Sequence, residues 1–147
     1  MHAVTIYDRV SELPVFSPDL EYPHPPKQVV DFANAIEDAD GLIFASPEYV
    51  RSIPGGLKNA VDWLVSRNEL TGKPIVLAHA SHRGDDMLHQ LRIVLSTVSE
   101  RFNEDLFIRF DLMKLSPEEI SKVLSGDRHR AEMRRFLDDF ATCCGQI

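Results

Sequence analysis

Basic charge is scarce in this 147-residue chain: 16 Lys and Arg stand against 23 Asp and Glu, a formal net charge of -7. A nucleic-acid surface needs a basic stripe to meet phosphates, so that class of partner is not expected. Long apolar runs are missing too. None approaches the roughly twenty residues needed to cross a bilayer, and the polar N-terminus has neither the charged start nor the apolar centre of a secretory signal. The expected location is the cytoplasm, with no membrane partner. Cysteine is confined to the adjacent pair Cys143 and Cys144. Neighbouring residues cannot close an unstrained disulfide, and neither C-x-x-C spacing nor a ligand cluster accompanies them; both read as reduced tail residues. No metal site and no triad of nucleophile, base and orienting acid can be assembled from the pattern. Repeats and low-complexity tracts are absent.

What is present is an alternation of strands and helices. With 44% apolar residues, the length suits one domain, residues 1–147. Val4–Asp8 reads as a strand, and the proline-rich stretch from Asp8 to Pro26 as an irregular crossing. Val29, Phe32, Ala33 and Ile36 then recur at helical spacing within 27–38. Gly41–Ser46 has the unbroken apolar character of a strand buried on both faces. A helix follows from Lys58 to about Ser66, and a strand over Ile75–Ala78. The next helix runs from Asp86 to Phe102, with Asp85 and Asp86 suited to its positive end, and the last strand is Leu106–Phe110. Ser116-Pro-Glu-Glu119 has the form of a capping box opening a short helix to about Leu124. A final helix spans 128–142. Such alternation implies parallel strands with crossover helices.

In an open sheet of this kind ligands lie beyond the carboxyl ends of the strands, so the loops after Ser46 and Ala78 are the candidate site. The first reads Ser46-Pro-Glu-Tyr-Val-Arg-Ser-Ile-Pro-Gly-Gly-Leu-Lys-Asn-Ala-Val-Asp-Trp63. This wording resembles the flavin-contacting loop of the NADPH-dependent FMN reductase family. The resemblance implies a flavodoxin-like three-layer parallel sheet with helices on both faces. It also implies FMN as cofactor, NAD(P)H as electron donor, a flavin-, quinone- or azo-type reductase activity, and a homodimer or homotetramer. By that resemblance Pro47, Glu48, Tyr49 and Val50 approach the O4 and N5 edge of the ring, and Ser81, His82, Arg83 and Gly84 its N1 to O2 side. No catalytic side chain is assigned.

The chain departs from the family pattern in three places. The family's first strand, phosphate loop and first helix, which seat the FMN phosphate at a helix N-terminus, have no counterpart, and Met1 falls where the second strand begins. The expectations are weakened or lost FMN binding, a late-assigned start, or open strand edges that invite another chain. Val50-Arg51 stands where the family has Asn-Gly. The second loop keeps one glycine, and its Asp85 and Asp86 suit an anionic reduced flavin poorly. Arg51, His82 and Arg83 are candidates to compensate.

Plainer roles compete for the same residues. Trp63 and Leu64 read as core or subunit interface, Glu48 as a cap, Tyr49 as a ligand stack or a cover for the helix, and His79 as a core or edge histidine. Arg128-His-Arg130 and Arg134-Arg135 read as the wet face of the last helix. The alternative to an enzyme is a flavodoxin-like assembly or ligand-binding module that has lost FMN and turnover.

Overall fold

The computed structural model describes residues 2–145. Its elements are α1 (Lys27–Glu37), β1 (Leu42–Ala45), α2 (Gly55–Asp62), β2 (Ile75–His79), α3 (Asp85–Val98), β3 (Phe102–Arg109), α4 (Pro117–Leu124) and α5 (Asp127–Cys143). Two single 3-10 turns, Val10–Glu12 and Pro18–Leu20, punctuate the proline-rich crossing. The strands form one parallel sheet in the order β1-β2-β3.

The sheet separates two apolar layers because side chains alternate across a strand. Ile75 and Leu77 of β2 point into the larger layer, where Val29, Phe32, Trp63, Leu64, Met87, Leu91 and Leu95 are all buried. Val76 and Ile108 point the other way, against Phe136 and Phe140 of α5. The helical stripe of α1 is the one its spacing predicts, with Val29, Phe32, Ala33 and Ile36 buried. Trp63 belongs to the core: it is 1% exposed, and its indole N–H donates to the Pro14 carbonyl at 2.7 Å. Phe16 meets it edge-on, so the irregular crossing is anchored by an aromatic pair and a buried hydrogen bond. Gly41 lets α5 close down on the start of β1, since a Cβ there would lie 2.6 Å from both the Phe140 ring and Cys144 Sγ. Burial there pushes the Cys144 thiol pKa up, and both tail cysteines are free.

Boundaries shift for identifiable reasons. α2 begins at Gly55, because Pro54 enters with its φ already set and its carbonyl accepts the Lys58 N–H at 3.0 Å. α3 stops at Val98, where Ser99 turns extended and spends its hydroxyl on the Lys73 carbonyl at 2.7 Å. β3 starts at Phe102, four residues before its apolar run. Extra residues between the Ile75↔Phe102 and Leu77↔Phe107 pairs are held by Asn103, whose Oδ1 accepts the Asp105 and Leu106 N–H groups. The capping box at Ser116 and Glu119 is formed in both directions.

Two strand expectations are corrected. Val4–Asp8 is no strand: it has no ladder partner among the described residues, and Val4 and Ile6 are exposed. A strand exists only through its neighbour's hydrogen bonds. This segment instead runs from α5, where His2 meets Asp138 at 2.6 Å, to α1, where Tyr7 packs on Phe32. The apolar run of β1 predicts burial on both faces, yet the strand lies at the sheet's edge, its first three residues only partly buried and Ala45 exposed.

Candidate functional site

The loop after β1 and the loop after β2 both open at the carboxyl end of the sheet, and the structure bolts them together at the start of α3. Glu48 Oε2 accepts the Met87 N–H at 3.0 Å. Met87 is the third residue of α3, so Glu48 satisfies one of the donors a helix start leaves open. Its own N-cap, Gly84, has no side chain to do so. Arg51 Nε donates to Asp86 Oδ2 at 2.6 Å. Gln90 takes the Ser52 hydroxyl on its amide oxygen at 2.7 Å and gives its amide N–H to the Arg51 carbonyl at 3.0 Å.

The first loop contains a tight hairpin. Tyr49 and Ser52 exchange both backbone hydrogen bonds, at 3.1 and 3.0 Å, and the central residues Val50 and Arg51 have φ of 52° and 57°. Two successive left-handed residues make a primed turn, the shape that Asn-Gly adopts without cost. A β-branched residue there is an outlier, strained by about 1–2 kcal/mol. Val50 recovers nothing by packing, being 99% exposed; Tyr49 is 62% exposed beside it.

The second loop is held from beneath. His79 is 6% exposed and its Nε2 lies 2.6 Å from the Arg83 carbonyl. A carbonyl only accepts, so Nε2 carries a proton, and Nδ1 is buried with no hydrogen-bond partner among the described residues. Gly84, at φ 98°, crosses directly over this ring; a Cβ would sit 2.7 Å from Nε2. Arg109, from the end of β3, spreads over the same loop, donating to the Ser81 carbonyl at 2.6 Å, the Arg83 carbonyl at 2.9 Å and Asp85 at 2.9 Å. Ser81 Oγ accepts the Arg83 N–H at 2.9 Å.

The eight sequence-predicted residues thus fall in two adjoining loops, with different roles. Pro47 and Ser81 line an apolar cleft of 630 Å³ that runs from the strand ends past Ile43, Ala78 and Ile108 toward Leu137. Glu48 is a cap. Tyr49 and Val50 stand at the tip. His82 bonds Asp111 at 2.8 Å in an exposed pair; the Arg83 guanidinium forms no ion pair among the described residues. A second cavity of 730 Å³, lined by Glu37, Arg67, Glu69 and Arg101, opens beside Gly72–Pro74 at the opposite end of the strands, away from both loops. Spacing did not reveal Gln90 or Arg109 as parts of this site, nor the pairing of Arg51 with Asp86, because the partners lie 24 to 39 residues apart.

The acidic pair at the start of α3 is neutralised in place, Asp85 by Arg109 and Asp86 by Arg51. The Arg51 hydrogen bond holds the Asp86 carboxyl below its ordinary pKa. For a flat, partly anionic ring the donor set is suitable: Tyr49 N–H is spent on Ser52 and Arg83 N–H on Ser81. Among the described residues the Glu48, Val50, His82 and Gly84 N–H groups donate no hydrogen bond, and Gly84 is buried. Of the three cations that could meet a phosphate, Arg51 and His82 are each bound to a carboxylate and Arg83 forms no ion pair among the described residues.

A parallel sheet layered by helices, with paired loops at the strand ends, defines a flavodoxin-like protein. The chain belongs to the NADPH-dependent FMN reductase family, whose family model matches residues 2–102. It is 37% identical over 75 residues to a quinone reductase of Escherichia coli (strain K12), covering 49% of this chain and 40% of that protein. It is 32% identical over 129 residues to an NADH-dependent flavin reductase subunit 2 of Lactobacillus johnsonii, covering 84% and 59%. The chain thus spans about half the length of these curated relatives. Among solved structures it resembles the flavoenzyme NAD(P)H:(acceptor) oxidoreductase FerB of Paracoccus denitrificans. The TM-score is 0.73 at 23% identity, over 93% of this chain and 78% of that one.

Proposed function

We propose that the two loops form the ring-facing half of an FMN site in an NAD(P)H-dependent oxidoreductase of the quinone- or flavin-reducing kind, built as a single domain over residues 1–147. The observation that carries this reading is the interlock of Glu48 with Met87. Through it, the loop that matches the family wording and the loop after β2 share one rigid support. When bound, FMN supplies hydride acceptance from the nicotinamide and onward electron transfer. The protein's residues do the positioning. Glu48 and Val50 present N–H groups from the first loop, and His82 and Gly84 from the second. Pro47 and Ser81 border the apolar cleft, which keeps water from one side. No side chain at the strand ends is assigned a proton-transfer role.

Titration of the purified chain with FMN, followed by flavin fluorescence and by the rise in melting temperature, tests the reading. One saturable site, followed by NAD(P)H oxidation with a quinone acceptor, supports it. Failure to bind at high flavin concentration overturns it in favour of a module without redox turnover, the reading that the carboxylate-bound Arg51 and His82 favour. β1 is a half-buried strand at the sheet's edge, and an open strand edge supports a homodimer or homotetramer. A cytoplasmic location is part of this proposal; no described helix is long and apolar enough to cross a membrane.

A further inference from the structure

The hairpin turn of the first loop has the wrong residues for its shape. Val50 and Arg51 both sit at positive φ, where glycine and asparagine are at ease and a β-branched side chain is not. Neither residue's own burial repays the strain, since both are exposed. Beyond the Tyr49–Ser52 backbone pair, the described hydrogen bonds of residues 50–52 go to α3. Asp86 and Gln90, four residues apart, lie on one face of that helix. Asp86 grips the Arg51 guanidinium at 2.6 Å, and Gln90 bonds both the Arg51 carbonyl and the Ser52 hydroxyl. The orientation of the Gln90 amide is dictated by its partners: the Arg51 carbonyl only accepts, so the NH2 group faces it and the oxygen faces Ser52.

We propose that Gln90, seconded by Asp86, is a positioning residue that clamps the Tyr49–Ser52 turn in a backbone conformation its own residues disfavour, so that the ring-facing loop is pre-organised by α3 rather than by turn chemistry. The functional half of this inference rests on the flavin-binding reading above; the structural half does not. Pre-organisation matters because any disorder in the 47–50 backbone must be removed when a ligand binds, at the expense of affinity. α3 begins at Asp85, directly after its N-cap Gly84, the last residue of the second loop, so one helix sets the position of both loops. Gln90 itself lines neither cavity.

The test is a double-mutant cycle between the clamp and the turn. Gln90→Leu removes both hydrogen bonds at similar volume; Gln90→Glu keeps the acceptor for Ser52 and loses the donor to Arg51. Val50→Asn with Arg51→Gly converts the turn to residues that accept positive φ. Without ligand, the turn variant is expected to melt at higher temperature than the parent. Gln90→Leu in the parent should speed hydrogen exchange at the Tyr49 and Ser52 amides by about tenfold, with Gln90→Glu in between. In the turn variant the same substitution should change exchange by no more than about twofold. FMN affinity should follow the same pattern, weakened by Gln90→Leu in the parent and nearly indifferent to it in the turn variant. Equal effects of Gln90→Leu in both backgrounds, or a turn variant that melts no higher than the parent, overturn the clamp. If FMN fails to bind to any variant, the functional reading falls while melting and exchange still decide the clamp.

Discussion

Glu48 Oε2 accepts the Met87 N–H at 3.0 Å across 39 residues of sequence. The side chain of a residue whose loop the resemblance assigns to the flavin ring thus satisfies an open donor at the start of the helix that carries the second loop. Removing it acts on both loops at once. Glu48→Ala should cost about 1 kcal/mol, the usual value of a lost cap, and accelerate exchange of the Met87 amide. Glu48→Gln should recover most of the stability. Chemical denaturation of the three proteins checks this, and an unchanged midpoint for Glu48→Ala would refute it.

Arg109 holds the second loop by three separate acceptors, the Ser81 and Arg83 carbonyls and Asp85. A lysine has one nitrogen and no planar fork, so it cannot span them. Arg109→Lys is expected to destabilise by about 1–3 kcal/mol despite keeping the charge. The change in amide exchange should be concentrated at residues 81–85; a change spread evenly over the sheet would contradict the assignment.

Gly84 crosses the His79 ring at positive φ, with Nε2 2.7 Å from where a Cβ would stand. Gly84→Ala adds backbone strain of about 1–2 kcal/mol and drives the loop off the histidine. The His79 to Arg83 hydrogen bond should break, which the His79 ring nitrogens would report by NMR. A stable variant with unchanged nitrogen shifts would show that the crossing is looser than described.

The Arg51 hydrogen bond lowers the Asp86 carboxyl pKa, and Lys27 does the same for Asp31. Folded pKa values below the unfolded ones mean that the native state binds fewer protons. The stabilisation is therefore complete at neutral pH and fades as pH falls below about 4. Asp86 is largely solvent-accessible, so its share is small. Melting temperatures of the parent and Asp86→Asn should differ at pH 7 and draw together as pH falls through the acid range; a gap that does not narrow would assign the effect to something other than ionisation.

Much of this fold is legible in the residue pattern because periodicity reports which side of an element faces apolar surroundings. The stripe of α1, the short run of β2 and the reciprocal cap at Ser116 and Glu119 all follow from local spacing. Element ends are less legible. The irregular stretch that Asn103 holds in β3 depends on its pairing with β2, and no local signal at Asn103 announces it.

By itself the sequence determined the alternation of strands and helices, the buried faces and the two loops at the carboxyl ends. Each depends on residues within about one turn or one strand of each other, where apolar spacing, proline and glycine act directly on the backbone. Only the tertiary structure decided that Val4–Asp8 lacks a ladder and that β1 is a half-exposed edge, since a strand is defined by neighbours from elsewhere in the chain. It decided as well that Glu48 caps α3, that Arg109 and His79 hold the second loop, and that Asp86 and Gln90 grip a turn built from unsuitable residues. Those are hydrogen bonds between distant segments, and their geometry is set by how the helices pack on the sheet.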